Sequence, residues 1–497
     1  VRQLAGWSSV ALRAFDLLLL SSITFLLARL IRINGESWNS PRSAGLFLSL
    51  FGLYFSQSEW VHCQRDIWML CPALLAVSLR IRHLTRVREA LRPRFSSSFI
   101  EGALWAMAFW LKPHIAIPAL AVFIVSWIVS RSRRFAVIDS LGILTGGAAI
   151  GALGSAWLIN TEAWEPFWEM QLQWNPEYLQ AGRQRLTWDR FASVWGNLAP
   201  WSWLHLVALP ACVLFVFKAV KRRKDVAVVD GVSIPTLLMA ALYLGWVTQV
   251  LLLQHPFAYV HLPPVILATA ITLGIRVPES TAAWLAPAWT AFAALALLAS
   301  PVASLSRLHH WGDCLTKGAV PEVQQEIQLQ RCPDWAELRP VMEFLKQQQL
   351  EDGELTVYPG TAIVLYPQLN LRPPHRYVYL DAYARLFPNR VSLIEHTVAS
   401  CGHRYIVSSL RDAGMSMEGI TDEINTESML PNCFPVERLN EFPYTQPVVF
   451  RSGQYCVHRV MGPLGPMCTE YLPLRDAVPV KRLNGIRVVH QGISTNE

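Results

Sequence analysis

The chain has 497 residues, of which 52% are hydrophobic and only 16% charged, with a mean hydropathy of +0.28. Soluble domains carry roughly 25% charged residues, so this balance excludes an ordinary soluble protein over most of the length. The formal net charge is +7, but the basic residues gather in short loops between apolar runs, which excludes a nucleic-acid binder and reads as membrane topology.

The chain begins at Val1 rather than Met, so further sequence upstream is expected. Apolar runs near residues 9–28, 43–56, 67–79, 98–111, 114–130, 135–159, 200–217, 233–253, 257–275 and 282–301 predict about ten membrane segments. The second to fifth of these fall short of a full span, which suits helices that line a protein-walled cavity. Within the first run, Arg13 and Asp16 stand three apart on one helix face and are expected to pair as structural glue.

Between the second and third runs lies Gln57-Ser58-Glu59-Trp60-Val61-His62-Cys63-Gln64-Arg65-Asp66. A polar cluster of that density at a bilayer edge is costly unless it is paired, wet or used. Asp66 can serve as the N-cap of the helix beginning at Ile67, or Asp66 and Glu59 can act as general bases while Arg65 holds a phosphate. Four basic clusters follow, opening at Arg80, Arg131, Lys218 and Arg276, an even number of predicted crossings apart. One cytoplasmic assignment accommodates all four. It places the Glu59–Asp66 stretch, the Lys112-Pro113-His114 turn, the 160–199 loop, the Gln254-His255-Pro256 turn and everything after about 302 outside.

Lys112 before Pro113 ends one run and opens the next, aiming an ammonium at headgroup depth, where it either snorkels or meets a lipid phosphate. The 160–199 loop interleaves tryptophans with Glu162, Glu165 and Glu169 and predicts helices lying in the membrane interface. His255, with Tyr259 and His261, can hydrogen-bond a hydroxylated substrate or simply pack at the interface.

After Ser306 the composition turns mixed. Helices are predicted at 321–330 and 335–349, and strands at 354–358, 376–380, 405–409 and 455–460. The expected organisation is a polytopic α-helical membrane domain over 1–303, a small extracytoplasmic α/β domain over 304–460 and an irregular tail over 461–497. No glycine-rich phosphate loop occurs, and the nine cysteines include no CxxC pair, so neither nucleotide nor zinc binding is indicated. Cys314 and Cys332 could bridge in an oxidising compartment.

The order of Gln64-Arg65-Asp66 at a helix start, an arginine-rich inner loop and Leu111-Lys112-Pro113-His114 resembles bacterial integral-membrane glycosyltransferases of the GT-C class. It is similar in particular to members carrying Gly-Gln-Arg-Asp/Glu-His, although Cys63 and Ile67 replace the outer glycine and histidine. The segments Asn370–Pro374 and Arg376-Tyr377 resemble the soluble domain that trails those proteins.

The resemblance implies a polyprenyl-phosphate-linked sugar donor and a glycan, lipid or protein acceptor outside the cytoplasm, in a cell inner membrane. A divalent metal serves some members. It also implies a catalytic carboxylate in a first outer loop, which by this topology precedes Val1. The expected roles are Asp66 or Glu59 as base, Arg65 and Lys112 on phosphate, and His114 and His255 on sugar hydroxyls, with Gln64 and His62 beside them. Competing readings are a transporter or flippase for a lipid-linked glycan, and a non-catalytic assembly protein.

Overall fold

The computed structural model describes residues 9–31, 41–89, 94–130, 133–184, 186–221, 233–253, 257–275, 279–300, 303–318, 333–411 and 442–461, with 320, 323, 325 and 326. It is mostly helical, with one small sheet near the C-terminus. The helices that build the bundle are α1 (Ser9–Ile31), α2 (Pro41–Phe55), α3 (Arg65–Trp68), α4 (Leu70–Arg88), α5 (Phe95–Leu111), α6 (Ala116–Ser130) and α7 (Arg133–Asn160). The chain continues through α8 (Trp164–Glu169), α9 (Asn175–Gln184), α10 (Trp188–Asn197), α11 (His205–Lys221), α12 (Ile234–Leu253), α13 (Ala258–Gly274) and α14 (Glu279–Leu298). Among the described residues, six stretches are long and apolar enough to cross a bilayer: Ala11–Ile31, Arg65–Val87, Pro113–Ser130, Ala136–Asn160, Trp201–Lys221 and Ile234–Leu252. Arg42–Phe55, Ala258–Gly274 and Pro287–Leu298 are shorter apolar helices.

The apolar run at 67–79 continues as helix to Arg88, so Arg80 is a fully buried helix residue and not the loop cation its sequence position suggested. The helix does not need to end before it because carboxylates on two neighbouring helices meet its charge.

Close packing between α5 and α7 depends on absent side chains. A Cβ on Gly102 would strike the Ile143 carbonyl, and one on Gly146 would strike that of Phe99. Small residues at four-residue spacing allow helix backbones to approach this closely in lipid, where tails are as apolar as leucine and only packing favours contact. Helix α13 is the most enclosed element, buried almost continuously from Leu262 to Ala270, and it packs against α1, α2, α3, α11 and α12.

The helices expected in the 160–199 loop are present as α8, a π-helical turn (Met170–Trp174), α9 and α10. Their aromatics divide into two groups. Trp164, Trp168 and Trp188 are exposed, whereas Trp174 is buried against Tyr377, Tyr383 and Phe387 of the C-terminal region. Arg376 pairs with Glu169 at 2.7 Å, and Arg390 with Glu177 at 3.3 Å while lying 4.5 Å over the Trp174 ring. These contacts use up the expected strand at 376–380, which is irregular and leads into a short helix at Leu380–Leu386. Side chains that must reach outward to another element do not alternate as a strand requires.

The sheet has the order β1-β2-β4-β3, with β1 (Leu355–Val357) parallel to β2 (Tyr405–Ser409), and β4 (Tyr455–Arg459) antiparallel to both β2 and β3 (Val448–Ser452). Strand β3 is missing from the sequence reading, although its burial alternates with period two. The predicted helix at 335–349 is present as Trp335–Gln347 and covers the sheet. Of the predicted helix at 321–330 only Val323, Gln325 and Glu326 are described, and these are helical; the tail beyond 461 and Cys332 lie outside the described residues, and Cys314 is a free thiol.

Three histidines are buried in this region. His458 accepts from Ser408 Oγ through Nε2 at 2.7 Å and donates from Nδ1 to the Gln446 carbonyl at 3.0 Å, while His403 Nδ1 lies 3.1 Å from Thr356 Oγ1. Burial pushes His458, His403 and His375 down to about 4. Their folded values lie below the unfolded value near 6.5, so the stability they contribute is complete above about pH 6.5 and is lost as pH falls towards 4. The thermal midpoint of the full chain, followed by circular dichroism, should therefore fall between pH 6.5 and 4, and His458→Gln should flatten that slope.

Candidate functional site

The polar stretch after α2 is fastened to α1 by one carboxylate. Asp16 accepts the Cys63 N–H through Oδ2 at 3.0 Å and the Trp68 Nε1–H through Oδ1 at 2.6 Å. The expected Arg13–Asp16 pair does not form: Asp16 is buried and committed to these two donors, and Arg13 is exposed. Cys63 sits at φ 58°, a left-handed conformation that costs a non-glycine residue energy. Its N–H, also 3.3 Å from Tyr54 Oη, helps hold that turn. His62 stacks on the Tyr54 ring with centroids 4.3 Å apart and bonds the Tyr54 carbonyl at 2.9 Å, so in this state it shapes the turn. Gln64 donates to the Trp60 carbonyl at 2.8 Å.

The turn delivers Arg65 and Asp66 to one place. Gln64, not Asp66, is the N-cap of α3 and makes no side-chain cap bond. Asp66 instead reaches across 46 residues to accept from Lys112 Nζ at 2.7 Å. The side chains of this pair are 19% exposed for Lys112 and 3% for Asp66, so water screens it little. Lys112 ends α5 in extended conformation, where Pro113 forbids further helix, and its Nζ lies 5.9 Å from the Tyr259 ring centroid. Arg65 is exposed beside the pair and has no ion-pair partner among the described residues. One buried ion pair, one open guanidinium and one aromatic face therefore share the mouth of the bundle.

The remaining predicted residues divide. His114 follows Lys112 in the Pro113–Ile115 turn and is half-buried. The backbone of Glu59 forms the Glu59–Val61 turn, but its side chain, like all of His255, lies outside the described residues. Tyr259 and His261 point to different neighbours: Tyr259 lies under Lys112, and His261 packs 6.4 Å from the Phe191 ring. His205 bonds Tyr243 Oη at 2.7 Å.

The sequence reading missed a second charged network near the opposite end of the same helices. Arg80 donates from Nε to Glu101 Oε1 at 2.9 Å and from Nη1 to Asp139 Oδ2 at 2.5 Å. Ser98 Oγ donates to Asp139 Oδ1 at 2.7 Å and lies 3.2 Å from His83 Nδ1. The signal was present in the apolar runs at 98–111 and 135–159, each of which contains one acid. An acid inside a span calls for a partner.

Among the described residues no group of three or more His, Cys, Asp or Glu side chains could hold a metal ion. No family model matches the chain, and neither a curated protein nor a solved structure does.

Proposed function

We propose that the chain is a membrane glycosyltransferase of GT-C-like build that moves a sugar from a polyprenyl-phosphate donor to an acceptor outside the cytoplasm. The observation that carries this reading is the buried Lys112–Asp66 pair with the open Arg65 beside it. A glycosyl phosphate gathers negative charge on the leaving oxygen as the sugar becomes oxocarbenium-like. Fixed cations that strengthen with that charge favour the transition state over the ground state. In this scheme Arg65 grips the lipid phosphate, Asp66 orients Lys112 towards it, and Asp66 or Glu59 takes the proton of the acceptor hydroxyl. Lys112 then stabilises the released phosphate.

In this reading Phe95–Leu111 joins the six long and three shorter apolar helices as a tenth membrane segment. The basic loops then face the cytoplasm of an inner membrane, and the sheet-bearing domain faces outward over the site. A reporter fused after Ser306 should be active only outside the cytoplasm.

The enzyme reading is tested by incubating the purified full chain with polyprenyl-phosphate sugars and candidate acceptors. Transfer should occur and should collapse in Arg65→Ala and Lys112→Ala. No donor consumed across several sugars contradicts it. A transporter reading draws on the buried Arg80–Glu101–Asp139 network, since charges inside a bundle can mark a translocation path. It predicts flipping of a labelled lipid-linked sugar in proteoliposomes without sugar transfer.

A further inference from the structure

Resting on that reading, we infer that Gln249 and Trp246 on α12, the helix that packs against the Pro113–Ile115 turn following Lys112, form a subsite for sugar hydroxyls. Helix α12 packs against α4, α6, α9, α13 and the Pro113–Ile115 turn, the elements that surround the site. Its C-terminal end lies at the Lys112 end of the bundle, because Leu253 is six residues from Tyr259, whose ring sits below the Lys112 ammonium. Gly245 fixes the depth: a Cβ there would come within 2.6 Å of Pro118 Cα. Gln249 is one turn further towards Lys112 on the same helix face, level with Pro113–Ile115.

Gln249 is fully buried, and neither its amide nitrogen nor its amide oxygen has a hydrogen-bond partner among the described residues. Trp246, also fully buried, has no partner for its Nε1–H among the described residues, and it stands three residues from Gln249 on the same flank. Orphaned polar atoms in an apolar interior are costly and rare. Three on one flank, on a helix packed against the Pro113–Ile115 turn, are groups that a polar ligand would satisfy. The set offers N–H donors and one carbonyl acceptor with no formal charge. That suits a group that both donates and accepts, which is a hydroxyl, and not a phosphate. The division of labour is then phosphate on Arg65 and Lys112, and ring hydroxyls on Gln249 and Trp246. A site built to bond hydroxyls discriminates strongly against a ligand that lacks them.

The test measures binding of farnesyl phosphate and of its glucosyl and mannosyl esters to the purified full chain by native mass spectrometry, in wild type and Gln249→Leu. At least one ester should bind wild type about tenfold tighter than farnesyl phosphate, since one or two net hydrogen bonds are worth roughly that factor. Gln249→Leu should abolish the advantage, keep the affinity for farnesyl phosphate and hold or raise the thermal midpoint. Should the leucine variant fail to fold, Gln249→Met supplies the same comparison. Equal affinities in wild type, the result expected if only a buried water fills the space, overturn the inference, as does an advantage that survives in the variant. If farnesyl phosphate itself does not bind wild type, the glycosyltransferase reading fails and takes this inference with it.

Discussion

Arg80→Met should be the most damaging single substitution in the chain. It leaves Glu101 and Asp139, both fully enclosed, without the cation that bridges them. Removing one partner of a buried ion pair costs about 3–5 kcal/mol, and here two carboxylates are stranded by one change. The protein should fail to accumulate in the membrane or should unfold well below the wild-type temperature in detergent. The triple variant Arg80→Met, Glu101→Gln, Asp139→Asn should recover much of the loss, because neutral partners in the same volume carry no stranded charge. A thermal midpoint for Arg80→Met within a few degrees of wild type would show that the network is wetter than its burial indicates.

The second large effect belongs to Lys112→Ala. Asp66 then sits at 3% side-chain exposure with its ion-pair partner gone. The loss should again be roughly 3–5 kcal/mol of stability, reduced somewhat because Lys112 is partly wet. Sugar transfer should fall by at least a hundredfold, since about 2.7 kcal/mol of transition-state stabilisation amounts to that factor. Lys112→Ala with Asp66→Asn separates the two effects: the double variant should regain stability and remain inactive. Activity recovered along with stability would reduce the pair to a structural clamp. The measurements are differential scanning fluorimetry and initial transfer rates on the same preparations.

Much of the architecture was legible because lipid imposes simple demands. Apolar length marks candidate spans. The proximity of Arg65, Asp66 and Lys112 followed from placing both polar turns on one face. What was not legible depends on contacts between residues far apart in sequence. Asp16 was matched to Arg13 on its own helix, yet its partners Cys63 and Trp68 lie 47 and 52 residues away. Arg80 read as a loop cation because its partners stand 21 and 59 residues further on. The irregular segment at 376–380 misled for a related reason: Arg376 and Tyr377 serve the contact with Glu169 and Trp174, which no local pattern announces. Strand β3 is five residues long and is defined by its hairpin with β4, so its alternation carries little weight alone. Gln249 lay in plain view inside an apolar run, but its orphaned amide becomes visible only once the bundle encloses it.

The central claim is that the exposed Arg65, next to the buried Lys112–Asp66 pair, is the docking point for an anionic lipid head. Arg65 contributes no ion pair among the described residues, so its removal should leave the fold intact. The most direct measurement is the affinity of farnesyl phosphate for Arg65→Ala beside wild type, with thermal midpoints taken in parallel. The account predicts about tenfold weaker binding or worse at an unchanged midpoint. Undiminished binding by a well-folded Arg65→Ala would contradict it.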